Sequence, residues 1–367
     1  MARTAKNQPL AARRARRAGA TVALAALAAG SLTACGARPK ASAATTQPTT
    51  TTVPPTTTTT EPPPPPVAPL TGLAQPDATQ LSATAVMVKI DNVDAARPQT
   101  AVNQADVVYE EMVEGGLTRL AAVFQSAYPG RVGPVRSGRL TDSAIADDLN
   151  HPVLLYSGTN AMFYPVLRSQ PLTDVDSDNH PGLFYRSGPA PEPHNLYSSV
   201  AAAAKLSSTH APPPPLWAFR AAGTPMAGAG VTPAAQIDIG FPDASIRWTW
   251  DASSNQWLRY QNGTADMDSA GTQLSASNLV VQFVGYRTSG MATGEGVPPT
   301  PIPQGELVGS GTAWFLSGGA IVKGTWSRAS LTSVTVYKDS AGNPIALAPG
   351  RTWVELPPTG TVPAVAP

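Results

Sequence analysis

The sequence predicts an α+β fold, a mixed α/β N-terminal domain followed by a mainly antiparallel β C-terminal domain built as a small barrel or sandwich. Three observations predict it. Between about residues 70 and 210, apolar runs of strand length alternate with runs of helical propensity. From 236 to 358 the apolar residues come in short aromatic or β-branched runs cut by turns. Ahead of both lies a Thr/Pro block with too little apolar surface to fold, which confines the core to the later part of the chain.

Residues 1–34 read as an export signal. Arg3, Lys6, Arg13, Arg14, Arg16 and Arg17 form a basic stretch, an alanine-rich apolar run with Val22, Leu24 and Leu27 follows, and small residues precede Cys35. The apolar run falls short of the roughly 20 residues a membrane span needs, so cleavage is favoured over spanning. Leu32-Thr33-Ala34-Cys35 resembles the lipobox of bacterial lipoproteins, which implies cleavage before Cys35 and a diacylglycerol anchor, with palmitate-type chains, on its thiol. Cys35 is the only cysteine, so no intramolecular disulfide can form, and lipidation would remove a reactive thiol. An ordinary signal peptide cut near a cysteine is the alternative, and the paired arginines leave twin-arginine export open beside the general route. The expected location is the cell membrane, lipid-anchored on its extracytoplasmic face.

Residues 35–68, the cysteine and a Thr/Pro-rich disordered linker, form a stalk. Polyproline II geometry, ~3.1 Å per residue over ~30 residues, would hold the folded part up to ~90 Å from the membrane. Its threonines are candidate acceptors of O-linked sugars, with a bare linker as the alternative.

In the first domain, 69–211, the runs at 85–90, 106–112 and 117–125 read as strands, the last two joined as a hairpin through Gly115-Gly116. Residues 142–149 and 198–206 read as helices and 152–156 as another strand. A Pro/Gly/Ala-rich linker spans 212–235. In the second domain, 236–358, strands are expected at 245–250, 257–260, 279–284, 312–316, 320–326, 333–337 and 352–356, with turns such as Asn262-Gly263 and Gly318-Gly319. Residues 359–367 read as a disordered tail.

Net charge is +1, with much of the positive charge at the N-terminus, so no broad footprint for nucleic acid exists. The glycine-rich pieces lack a P-loop lysine, and His180, Asp178 and His194 lack zinc-type spacing, so no cofactor and no metal are expected. Neither Ser137 nor Ser157 lies in a Gly-x-Ser-x-Gly context.

Several ordered motifs carry a resemblance. They are Val88-Lys89-Ile90-Asp91-Asn92 followed by Ala96-Arg97-Pro98-Gln99, then Gln104-Ala105-Asp106-Val107-Val108-Tyr109-Glu110, Val113-Glu114-Gly115-Gly116-Leu117-Thr118-Arg119, Gly133-Pro134-Val135-Arg136-Ser137-Gly138-Arg139 and His194-Asn195-Leu196-Tyr197. Gly324-Thr325-Trp326 and Pro349-Gly350-Arg351-Thr352-Trp353-Val354 continue the series. Together they resemble the YerB-like lipoprotein family, domain of unknown function 3048, over nearly all of 69–356. The resemblance implies a two-part protein tethered to a membrane and supplies no activity.

The richest polar set is Asp91, Asn92, Arg97, Glu110, Glu114, Arg119, Arg136 and Arg139. On an extended chain Glu110 and Glu114 alternate to the same face and Arg119 returns beside them. Two carboxylates flanking a cleft suit glycoside hydrolysis, and arginines suit bidentate grip on carboxylate or phosphate. A structural ion-pair network is the competing and more frequent reading. His194 and Asn195 precede an expected helix start, where backbone N–H groups could receive an anion, or where a turn and cap suffice. Trp248, Trp250, Trp257, Trp314, Trp326 and Trp353 suit a sugar-stacking platform or, more commonly, a core. The leading expectation is an extracytoplasmic lipoprotein that binds a cell-envelope glycan or protein partner through its first domain. The alternative is a hydrolase of an envelope polymer, peptidoglycan or glycan, using Glu110 or Glu114.

Overall fold

The computed structural model of the protein describes residues 66–207, 209–294 and 297–367, so the export signal, Cys35 and nearly all of the Thr/Pro linker lie outside the described residues. The predicted strands of the first half form with small shifts: β1 (Val86–Asp91), β2 (Val107–Met112) and β3 (Thr118–Phe124), joined antiparallel in the order β2-β3-β1. Gly115 and Gly116 turn the chain between β2 and β3 at φ of +71° and +80°, which an L side chain resists. The first of the expected helices forms as α1 (Leu140–Asp147) and starts earlier than expected, because Asp142 accepts the Arg139 backbone N–H at 2.6 Å and closes its first turn. β4 (Val153–Tyr156), α2 (Tyr164–Arg168) and β5 (Thr173–Asp176) add a strand-helix-strand unit in which β1, β4 and β5 run parallel. The second expected helix shortens to α3 (Val200–Ala204), opened by the Ser199 hydroxyl accepting the Ala202 N–H at 3.1 Å. No helix among the described residues is long and apolar enough to cross a membrane.

The second half does not close on itself. It comprises β6 (Gln236–Phe241), β7 (Ala244–Asp251), β8 (Gln256–Gln261), β9 (Asn278–Gln282), a hairpin of β10 (Gly285–Gly294) and β11 (Val297–Glu306), β12 (Gly309–Ser317), β13 (Ala320–Arg328), β14 (Val336–Asp339), β15 (Thr352–Leu356) and β16 (Ala364–Ala366). β9 and β15 are buried at every position and need neighbours on both edges and both faces. β15 finds them by lying parallel to β9 on one side and to β2 on the other. The main sheet therefore runs β14-β13-β12-β9-β15-β2-β3-β1-β4-β5 through both halves of the chain. β6, β7, β8 and β16 belong to a second, antiparallel sheet. No closed barrel forms among the described residues, which corrects the barrel half of the barrel-or-sandwich expectation.

Two further expectations change. The tail is not free chain: Ala364–Ala366 pairs with Gln236, Ile237 and Asp238 and covers the edge of β6. Within the expected linker, Leu216, Trp217 and Met226 are buried and Thr232-Pro233 pairs with β13, so that segment packs onto the folded body. Proline-rich β11 carried no strand signal, since proline cannot donate to a ladder; in a two-stranded hairpin one edge is free to carry it.

Strand alternation divides the apolar side chains between two faces. Val88, Ile90, Val108, Leu120, Ala122 and Trp353 pack with Ile237, Ile246, Trp248 and Trp257 of the second sheet. Met87, Val107, Ala121 and Val354 pack on the other side with Ile145 of α1 and Leu167 of α2.

Candidate functional site

Successive side chains on β2 point opposite ways, so Glu110 faces the second sheet and Glu111 faces away from it. Glu110 is fully buried, and both its oxygens accept from Arg259 of β8, at 2.9 and 2.7 Å. Asn92 and Thr118 donate to it at 3.0 and 2.7 Å, and Gln99 donates to Asn92 at 2.8 Å. Arg259, equally buried, also donates to Gln261 at 2.9 Å and to Asp266, and lies 5.0 Å from the Trp353 ring centroid. Beside Glu110 in register stands Glu355 of β15, which accepts the Trp248 indole N–H at 2.8 Å. Burial, and then the Glu110 carboxylate, push Glu355 well above the usual carboxylate range, favouring its protonated form. Glu110 thus joins the two sheets and is shut off from any external substrate.

Glu114 lies in a single 3-10 turn after β2, so it does not share a strand face with Glu110. It pairs with Arg139 at 2.7 Å and sits 3.9 Å from Arg119, which donates to the Ser137 carbonyl at 3.0 Å. Burial raises Glu114, but Arg139 and then Arg119 outweigh it and hold the carboxyl below its usual value. A carboxylate kept anionic by two guanidiniums is a poor proton donor. The expected cleft between Glu110 and Glu114 is not assembled.

Away from the second sheet, Lys89, Glu111 and Asp142 form a fully buried ion group, with Lys89 2.9 Å from Asp142 and bonded to Glu111. Burial raises Glu111 despite Lys89. Sequence reasoning passed over these three residues. The available signal was a lysine inside the apolar run Val86-Met87-Val88-Lys89-Ile90, since a lysine there needs a carboxylate.

Four of the expected residues do come together, at the end of β1. Asp91 is 1% exposed; its Oδ2 accepts from His194 Nδ1 at 2.8 Å and lies 3.1 Å from Arg136 Nε. Arg136 is placed by a segment running beside β1, in which its backbone N–H donates to Lys89 and the Asp91 N–H donates to Pro134, both at 2.9 Å. A carboxylate only accepts, so His194 Nδ1 carries the hydrogen of this bond. Nε2 has no protein hydrogen-bond partner among the described residues. His194 and Arg97 line a cavity of about 370 Å³ together with Arg131, Tyr197, Thr100 and Ser269. Arg97 is tied to Asp94 and lies 4.0 Å from Asp266. The Arg131 guanidinium stacks on Tyr197, 4.2 Å from the ring centroid, and bonds to Ser187 at 3.4 Å; no carboxylate pairs with it among the described residues. No sequence motif had singled out Arg131.

The remaining candidates stand apart. His194 precedes no helix start, because α3 begins only after Ser199, so no anion site at a helix terminus forms there. Asn195 accepts from Arg186 at 2.8 Å and donates to the Ala190 carbonyl at 2.9 Å, shaping the loop beside the cavity. Trp248, Trp257, Trp326 and Trp353 are core residues, 3% exposed or less, so the six tryptophans make no single platform. Chemically, the cavity can hold an anion against Arg131 while His194 Nε2, unpartnered among the described residues, bonds a ligand hydroxyl. The Asp91–His194 pair resembles the orienting half of a catalytic triad, but no side-chain hydroxyl bonds to His194 among the described residues.

Two family profiles match the chain, both described as protein of unknown function (DUF3048), the N-terminal domain over residues 70–211 and the C-terminal domain over 237–354. A protein of Bacillus subtilis (strain 168) named "Putative lipoprotein YerB" is 25% identical over 301 residues, spanning 79% of this chain and 86% of that protein. The crystal structure of YerB protein from Bacillus subtilis shares the fold, with a TM-score of 0.67 at 21% identity, over 81% of this chain and 99% of that one.

Proposed function

The chain belongs to the DUF3048 family, and from that premise we propose that it is a lipid-anchored lipoprotein of the cell envelope that binds an anionic envelope glycan through the cavity at the end of β1. The observation that carries this reading is Arg131, a guanidinium preset by Tyr197 and without a carboxylate partner among the described residues, on the same cavity as a histidine oriented by buried Asp91. A stacked guanidinium loses little freedom on gripping a carboxylate or phosphate. The Thr100 and Ser269 hydroxyls and His194 Nε2 complement sugar hydroxyls beside that charge. Cys35 supplies the anchor and the Thr/Pro linker the reach, on the lipobox reading.

The test incubates the full chain, in detergent micelles, with purified peptidoglycan and with peptidoglycan whose carboxyls have been amidated. Retention on the first, about tenfold weaker retention on the second, and a similar loss in Arg131→Ala are expected. Release of soluble fragments that stops in Glu114→Gln would replace binding with hydrolysis. Neither retention nor fragments would sink both readings and leave a protein partner.

A further inference from the structure

A second cavity, of about 450 Å³, opens where the main sheet splits. β9 pairs with β12 only from Asn278 to Gln282, opposite Ala313 to Ser317. The chain then leaves through Phe283 into the β10–β11 hairpin, while the Gly309 to Thr312 end of β12 keeps β13 on one side and faces the cavity on the other. One wall is aromatic: Phe283 and Trp314 pack edge to face with ring centroids 5.4 Å apart. Trp326 donates its indole N–H to the Phe283 carbonyl at 2.9 Å and fixes that wall, and Lys323 lies 4.1 Å from the Trp314 centroid without lining the cavity. The other walls carry Glu306, Ser310, Thr312 and Thr361. None of these four side chains has a protein hydrogen bond or ion pair among the described residues.

The chemistry is the opposite of that around Arg131. With no lysine or arginine lining it and one carboxylate on it, the cavity repels an anion. A hydrocarbon would cover the aromatic wall but leave three hydroxyls and a carboxylate without partners. A sugar ring offers what both walls lack, an apolar C–H face for the rings and hydroxyls that donate to Glu306 and exchange hydrogen bonds with Ser310, Thr312 and Thr361. We infer that this split in the sheet is a subsite for a neutral pyranose ring of the N-acetylhexosamine class. It rests on the glycan reading only for the source of its ligand and uses none of the residues at the end of β1.

The experiment titrates the full chain, in detergent micelles, with the β-1,4-linked tetramer of N-acetylglucosamine and reads tryptophan fluorescence and calorimetry. Binding is expected, weakened about tenfold in Trp314→Ala and in Thr312→Val, and unchanged in Arg131→Ala. Thr312→Val preserves shape and removes only the hydroxyl, so it keeps the test alive if Trp314→Ala fails to fold. No binding by the parent chain, or equal binding by a folded Thr312→Val or Trp314→Ala, overturns the subsite. Loss of tetramer binding in Arg131→Ala overturns it too, by moving the sugar to the other cavity. Peptidoglycan retention that depends on Arg131, with no tetramer binding, removes the subsite and leaves the proposed function standing.

Discussion

Replacing Arg259 with methionine should destabilise the fold more than any surface change. Arg259 is fully buried and donates to Glu110 at 2.9 and 2.7 Å and to Asp266. Methionine fills a similar volume but strands both carboxylates in a site that water does not reach. Removing one partner of a buried ion pair costs about 3 to 5 kcal/mol, because the charge left behind keeps its desolvation penalty. With a urea dependence of about 3 kcal/mol per molar, the unfolding midpoint should fall by about 1 to 1.7 M. Tryptophan emission is the natural assay, since Trp248, Trp257 and Trp353 lie in the core this network borders. Adding Glu110→Gln and Asp266→Asn to Arg259→Met should restore part of the loss by removing the stranded charges. A midpoint for Arg259→Met that indicates less than about 0.5 kcal/mol, the range of an ordinary surface substitution, would refute the bridging role.

Glu355 should set a pH dependence. Its folded pKa lies above its unfolded value, so the stability it contributes is complete below the unfolded value and is lost as pH rises through the folded one; Glu355→Gln should flatten that decline in urea midpoints, and an unchanged slope would count against it. Asp91→Ala should free the His194 ring, seen as loss of the hydrogen-bonded Nδ1–H signature in nitrogen-15 spectra, and should weaken peptidoglycan retention about tenfold; a ring that keeps that signature would show that Asp91 does not orient it. Cys35→Ala should release the chain from membranes or leave it held by an uncleaved signal, and intact mass should show no lipid. Cleaved, membrane-bound Cys35→Ala protein would end the lipoprotein reading.

Much of the local structure was legible. The runs that became β1, β2, β3, β4 and β15 were identified to within a residue or two, because burial on both faces demands continuous apolar stretches. β6, the β10–β11 hairpin and the α2–β5 pair were not seen; the hairpin is rich in proline, and α2 has only five residues. Of the expected site residues, Arg97 and His194 line the cavity, and Asp91, paired with Arg136, holds His194 from behind it across 103 residues of chain. Glu110 and Glu114 looked like a pair only because an unbroken strand was assumed through Met112, Val113 and Glu114, where the chain in fact turns.

The sequence by itself determined the family, the position of the fully buried strands and the alternation that sends Glu110 and Glu111 to opposite faces. Those are properties of neighbouring residues, set by backbone geometry and short motifs. Only the tertiary structure decided that β15 enters between β2 and β9 and makes one sheet of two expected domains, and that Glu110 meets Arg259 across 149 residues of chain. Periodicity tells a strand which face to bury but not which edge to join. The partner of a buried charge is chosen by whichever distant strand the fold brings within 3 Å, roughly the reach of one hydrogen bond.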